Sequence, residues 1–252
     1  MIPDLATGRR FLAAKGAPGA LAVGVTGAHY YGFPSADSDL DLKGVHVGDT
    51  REVVSLRPPP DAIDYLGVFD GIEIDYTSHE LAATLRLLLK GNGNMLERIL
   101  SPFQLLGSQA VTELGALARG AASQRFFHHY RGFFGRMCQD WRSAQPKTVK
   151  GLLYAYRSAL TGIHLLRTGE CVGDVNHLAP LYGFPRVPDL VALKRNRPEH
   201  GELTTTSGFD ADLERLEALL ETARSESPLP PESPNADALN EFLIQQRKDR
   251  FA

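Results

Sequence analysis

The pattern of apolar and polar positions divides the chain into two stretches of different period. Up to about Pro102, short apolar segments alternate with turn residues and helical stretches. Leu21-Ala-Val-Gly-Val25 predicts a buried strand running into Gly27, and Asp39 to Val47 alternates with period 2. Tyr65–Phe69 and Ile72–Tyr76 flank Asp70-Gly71, a pair suited to the tight turn of a hairpin. Glu80 to Lys90 carries Leu81, Leu85, Leu88 and Leu89 at helical spacing and stops at Gly91. From Val111 to about Leu166 the period is helical, with a break near Gln145-Pro146, and Arg167-Thr-Gly-Glu170 ends the helix of Lys150–Leu166. Phe209 to Ala223 predicts another amphipathic helix through Leu213, Leu216, Leu219 and Leu220. Ser225–Ser233 is a Pro-rich linker, since proline removes donors and fixes φ, and a short helix follows over Ala236–Arg247. No internal repeat is present. The pattern implies an α/β region followed by an all-helical one.

Composition narrows this little. The 252 residues are 43% hydrophobic and 23% charged, which excludes collagen-like and wholly disordered chains and leaves room for a real core. The 27 Lys and Arg against 30 Asp and Glu give a formal charge of -3, so a protein that coats nucleic acid over its whole surface is excluded. The distribution matters more than the total. Residues 121–170 hold eight Lys and Arg against two acids, a net of +6, whereas residues 201–252 hold 11 acids against five bases, a net of -6. A basic middle and an acidic end suggest a face meant for an anion, or else two solvated helix faces. Two cysteines, Cys138 and Cys171, rule out a disulfide framework and read as apolar thiols in a reducing compartment. No apolar run approaches the roughly 20 residues of a membrane span. Met1-Ile-Pro-Asp4 does not open a signal peptide, so a cytoplasmic protein is expected.

The chemistry concentrates in Gly27-Ala-His-Tyr-Tyr-Gly-Phe-Pro-Ser-Ala-Asp-Ser-Asp-Leu-Asp-Leu42. A strand ends at a small-residue turn, and a loop returns to a second strand beginning Ser38-Asp39-Leu40-Asp41. On a strand, residues i and i+2 share a face, so Asp39 and Asp41 project together. Adjacent carboxylates repel each other unless a cation sits between them. A hard divalent ion takes one or two carboxylates and completes its shell with water and substrate phosphates. The pattern therefore points to a metal–phosphate site, with Gly27 giving backbone N–H groups room to approach a phosphate. The competing reading is an exposed strand with solvated aspartates.

This stretch resembles the core motif of the DNA polymerase beta-like nucleotidyltransferase superfamily, which is glycine-serine, ten residues, then Asp-x-Asp. Here Gly27-Ala28 precedes His29–Ser38 and Asp39-Leu40-Asp41. More narrowly it is similar to the bacterial predicted nucleotidyltransferases of the YcgL type. Their motif continues as Lys or Arg, Gly, Val, a hydrophobic residue and Val, here Lys43-Gly-Val-His-Val47. The likeness runs on through Leu87–Glu97 and Leu165–Gly169. It implies the α/β (α+β) class. A nucleotidyltransferase domain with a mixed β-sheet and flanking helices would occupy residues 1–110. A helical domain would cover 111–252, with an acidic C-terminal extension and the linker near 225–234.

The resemblance also implies Mg²⁺ or Mn²⁺ held by Asp39 and Asp41 with a third carboxylate. Asp75 fits that role, and Glu73, which shares its strand face, is the rival. In-line attack on the α-phosphate of a nucleoside triphosphate would release pyrophosphate and pass the nucleotide to an RNA end, a protein hydroxyl or a small molecule. Gly27, Ala28, His29, Ser38 and Lys43 fall within the nucleotide-binding part of the motif. The family position of Ala28 is usually Ser, and a lost charge-assisted hydrogen bond costs about 1.5–3 kcal/mol. Lys150 and Arg157 are two helical turns apart on one face with Tyr154 between them, where the YcgL-type pattern has Lys, His and Arg. They are expected to meet the phosphates, with Tyr154 stacking or hydrogen bonding; a solvated helix edge is the alternative. A non-catalytic, antitoxin-like nucleotide- or nucleic-acid-binding module is the rival function, supported by Ala28 and opposed by the three aspartates.

The remaining motifs read as structural. His128-His129 sit in an aromatic-rich stretch that is core and helix surface. Arg195 and His200 match a ribonuclease spacing but fall in a Pro-containing loop, and Asn92 and Asn94 read as turn caps. No Walker loop, dinucleotide fingerprint or Ser-His-Asp arrangement is present.

Overall fold

The computed structural model describes residues 2–196, 203, 207–248 and 250–251. Its elements run α1 (Leu5–Lys15), β1 (Ala20–Val25), α2 (Gly27–Tyr30), β2 (Leu40–His46), α3 (Thr50–Val53), β3 (Ala62–Phe69), β4 (Ile72–Glu80), α4 (Leu81–Leu89) and α5 (Gly93–Leu100), then α6 (Gln109–Gly120), α7 (Phe126–Ser143), α8 (Val149–Thr168), α9 (Val175–Leu181), α10 (Val187–Arg195), α11 (Phe209–Ser225) and α12 (Ala236–Lys248). The chain forms two compact units. One comprises Ile2–Gly27, Asp39–Ala121 and the segment from Ser233 onward; the other comprises Ala28–Ser38 and Ala122–Glu232.

The first unit is built on a mixed sheet of order β1-β2-β4-β3. β1 and β2 are antiparallel, β2 and β4 parallel, and β3 and β4 antiparallel. The sequence pattern sets the two faces. Leu40 and Leu42 on β2, with Ile74 and Tyr76 on β4, are buried, while the intervening Asp41, Lys43, Asp75 and Thr77 are half-buried. The apolar face packs against Phe11 of α1 and Leu105, with Val23 and Val25 of β1 in the same cluster. A one-residue slip would turn every one of these side chains to the wrong face, so burial of the apolar set fixes the register. The β3–β4 turn is the expected Asp-Gly pair, with φ 49° at Asp70 and 80° at Gly71, the positive angles that a two-residue hairpin loop requires.

Helix α5 crosses the opposite face of the sheet. Gly24 permits this, because a Cβ there would lie 2.7 Å from the Arg98 carbonyl oxygen and from the Ser101 Cβ. Ser101 Oγ donates to the Val25 carbonyl at 2.6 Å. The C-terminal helix α12 is fastened to the same unit by Arg247, which pairs with the buried Glu80 and donates to the Gly48 carbonyl at 3.0 Å.

The second unit surrounds α8, whose side chains from Leu152 to Leu166 are almost all buried. Gly162 lets α7 approach: a Cβ there would sit 2.6 Å from the Tyr130 Cβ. Thr148 caps the start by accepting from the Gly151 N–H at 3.1 Å, and Gly169 ends the helix with φ +79°, as its sequence position predicts. The motif segment 28–38 contributes Ala28, Tyr30, Tyr31 and Phe33 to this core.

One sequence expectation needs adjustment. Arg195 is the last residue of α10 and not part of a loop. The helix starts at Val187-Pro188, and proline in the first turn favours a helix because its missing N–H would have no partner there. His200 lies outside the described residues. Helix α9, seven residues from its Asp174 cap, is too short for its period to mark it in the sequence.

Candidate active site

In the sheet unit, Asp41 and Asp75 are partners in the parallel β2–β4 register. Parallel neighbours point the same way, so the two carboxylates stand on one face, separated at the backbone by the strand spacing of about 4.8 Å. Each is flanked along its strand by buried residues, Leu40 and Leu42 or Ile74 and Tyr76, which hold it away from the core. Asp39 is half-buried just before β2. Glu73 is exposed and lies before the first β2–β4 pair, Leu40 with Ile74. Asp75, not Glu73, therefore stands beside Asp41.

The turn after β1 closes against Asp41. Gly27 has φ +61°, and a Cβ there would fall 1.6 Å from Asp41 Oδ2. Only glycine fits, for reasons of both backbone angle and space. The Thr26 N–H donates to the Asp41 carbonyl at 2.8 Å, tying the turn to the strand. On the other side, Lys43 Nζ lies 2.7 Å from Asp75 Oδ1 and 3.5 Å from the Asp75 carbonyl oxygen. Asp41 with Gly27 and Lys43 with Asp75 are thus brought together.

The donor chemistry fits a hard divalent cation: two carboxylates in register on one strand pair, and a third two residues upstream. Among the described residues, no three His, Cys, Asp or Glu side chains gather into a ligand set. Asp75 is engaged by Lys43 instead.

Arg98, on α5, is a contributor that sequence reasoning missed. Its side chain is buried and donates to the Gly44 carbonyl at 2.8 Å and to His79 Nδ1 at 2.9 Å. Burial lowers its pKa to about 10, still far above neutrality. Burial also lowers the pKa of His79, helped by the adjacent guanidinium, so the imidazole is neutral and accepts the bond. The signal in the sequence is a charge among Met95, Leu96 and Ile99, on a helix face that should be apolar.

The other expected site residues belong to the helical unit. Ala28 is buried in its apolar cluster, and its carbonyl accepts from the Phe33 N–H at 3.0 Å. His29 is half-buried. Ser38 Oγ accepts from the Ser35 N–H at 3.0 Å. Lys150 and Tyr154 are half-buried on α8, with the Tyr154 ring edge-on to Tyr31 and Phe33. Arg157 is only 2% exposed, and its guanidinium lies 3.8 Å over the Tyr31 ring, where it packs the motif loop.

Lys194 was also missed. It is 2% exposed and donates to Ser35 Oγ at 3.0 Å. Its spacing from Val187, Leu190 and Val191 places it on the apolar face of α10, the sign by which it could have been found. Gly32 explains the path of the loop. Its φ is +84° and a Cβ would strike Asp174 Oδ1 at 2.0 Å, while its carbonyl accepts from Asn176 at 2.7 Å and Arg195 at 3.0 Å.

Residues 18–245 match the family described as the RNA repair pathway DNA polymerase beta family. The chain belongs to that family. Membership places it among polymerase beta-like nucleotidyltransferases, whose general reaction is nucleotidyl transfer and which usually use divalent metals. The chain is similar to the uncharacterized protein MJ0002 of Methanocaldococcus jannaschii, at 30% identity over 154 residues, 60% of this chain and 61% of that protein. It is also similar to the uncharacterized protein YcgL of Bacillus subtilis, at 28% identity over 137 residues, 54% of this chain and 52% of that one. These matches span between half and two thirds of the relatives' own lengths. A solved nucleotidyltransferase-like protein from Exiguobacterium sibiricum aligns over 99% of this chain and 81% of its own, at 11% identity and a TM-score of 0.35. Among the described residues, no helix is long and apolar enough to cross a membrane.

Proposed function

We propose that this RNA repair family member is a Mg²⁺- or Mn²⁺-dependent nucleotidyltransferase that adds a nucleoside monophosphate from a nucleoside triphosphate to an RNA end. The observation that carries the proposal is the in-register pair Asp41 and Asp75, with Gly27 shaped around the Asp41 carboxylate. The family description supports RNA as the acceptor, over a protein hydroxyl or a small molecule.

Asp39, Asp41 and Asp75 would hold the cation. When bound, it supplies charge neutralisation at the α-phosphate and lowers the pKa of the attacking hydroxyl. The backbone N–H groups of the Gly27 turn orient phosphate oxygens. Asp75 accepts the proton of the acceptor hydroxyl as the new P–O bond forms. The bond from the α-phosphorus to the bridging oxygen breaks, and pyrophosphate leaves. Lys43 contributes positive charge toward the phosphates, and in the helical unit Arg157 and Tyr154 shape the loop 28–38 that carries His29 and Ser38.

The test uses purified protein, Mg²⁺ or Mn²⁺, each α-labelled nucleoside triphosphate and total RNA, with Asp39→Ala/Asp41→Ala beside it. Label entering RNA only with intact carboxylates is the expected result. One observation favours a second reading, a nucleotide-binding regulatory module: Ala28 replaces the usual Ser and is buried in an apolar cluster. Metal-dependent triphosphate binding without transfer to RNA, protein or small acceptors would select it.

A further inference from the structure

Lys43 has a role that phosphate binding does not explain. It stands two residues after Asp41 on β2, so it shares the carboxylate face, and its register partner is Thr77. Its side chain nonetheless reaches back along β4 to Asp75, with Nζ 2.7 Å from Oδ1. The direction has an electrostatic cause. Toward the far end of the same face stands the Arg98 guanidinium, bonded to the carbonyl of Gly44, the next residue in the chain. Toward the near end stand Asp41 and Asp75. Attraction to the Asp75 carboxylate, with the guanidinium on the other side, sets the direction of the ammonium.

Asp41 and Asp75 are adjacent in register and would repel each other without a neighbouring cation. We propose that Lys43 is the resident counter-cation of Asp75 and surrenders it to a divalent ion, so that cation binding and release of Lys43 are one exchange. The inference rests on the metal-dependent reading above. Lysine suits the task because its ammonium is a point charge on a flexible stem; an arginine fork would hold the carboxylate in two directed bonds. The pair is also open to exchange, with the Lys43 and Asp75 side chains 21% and 40% exposed. Lys43 is thus a positioning residue that keeps the third carboxylate in place on β4 before the site is loaded, at the expense of cation affinity.

The test is Mn²⁺ binding to the full chain without nucleotide, by calorimetry and by electron paramagnetic resonance of free Mn²⁺. The expected result is that Lys43→Met binds Mn²⁺ about two- to fivefold more tightly than the native protein. Lys43→Arg stays at or above the native Kd. In an Asp75→Asn background, Lys43→Met changes nothing, because the competition has been removed. Lys43→Gln serves if the methionine variant does not fold. Unchanged or weaker binding by Lys43→Met, or equal tightening in the Asp75→Asn background, overturns the inference alone. A native protein that binds no Mn²⁺ overturns the metal-dependent reading and this inference with it.

Discussion

Replacing Gly27 with Ala tests the geometry on which the candidate site depends. Two separable costs follow from the structure. The residue sits at φ +61°, where an L side chain costs about 1–2 kcal/mol. The added Cβ would lie 1.6 Å from Asp41 Oδ2 and 2.5 Å from Cγ, so the carboxylate must swing away or the turn must open. Overpacking of this kind costs about 1–3 kcal/mol, and the total is about 2–5 kcal/mol. Most of the steric part belongs to the pair and is relieved when the carboxylate is removed. Asp41→Ala keeps only the Cβ, 2.9 Å from the new methyl, so Gly27→Ala in that background should cost about 1–2 kcal/mol less. Urea unfolding by circular dichroism measures the cycle, and hydrogen exchange of the β1–β2 amides reports on the sheet unit itself. Equal costs in both backgrounds, within about 0.5 kcal/mol, would mean that the Asp41 carboxylate does not rest against Gly27, and the site as described would be wrong.

Other outcomes follow from single contacts. Arg98→Ala leaves the buried Gly44 carbonyl and His79 without their donor and should destabilise the sheet unit by about 2–4 kcal/mol, read by chemical denaturation. Arg247→Ala strips the buried Glu80 of its cation and should cost about 3–5 kcal/mol, with α12 becoming the first site of limited proteolysis. Burial lowers the pKa of His46, His79 and His164 from the ordinary 6.5. The unfolded chain therefore takes up protons first as pH falls, so this stability is fully present above about pH 6.5 and is lost progressively below it. The Tm should drop between pH 7 and pH 5, and drop less in His79→Gln. Ala28→Ser returns a hydroxyl to the motif and, if the protein transfers nucleotides, should tighten triphosphate binding about tenfold, measured by calorimetry; unchanged affinity would show that the position no longer meets the nucleotide.

Local features of the fold are legible in the residues because they are local in origin. Period-2 alternation over Leu40–Lys43 decides which side of the start of β2 is buried, before both faces become covered from Gly44 onward, and Asp70-Gly71 permits the turn that joins β3 to β4. Gly91 and Gly169 stop helices because they accept the left-handed angles beyond the last turn. The spacing from Gly27 to Asp41 brings a turn back to its own neighbouring strand, so the motif could be found without coordinates.

Partner choice is different in kind. Whether β4 lies beside β2 or at the edge depends on which arrangement buries Ile74 and Tyr76 against Leu40 and Leu42, a non-local competition that no window of sequence contains. The structure settles it by placing β4 inside the sheet, which sets Asp75 opposite Asp41 and leaves Glu73 beyond the pair. Arg157 and Lys194 show the same limit, since their charges suggest solvent or ligand while tertiary packing buries both. The chain beyond the Pro-rich linker likewise joins the sheet unit through Arg247 and Glu80. Sequence periodicity states which face of each element must leave water; only the assembled molecule decides what covers it.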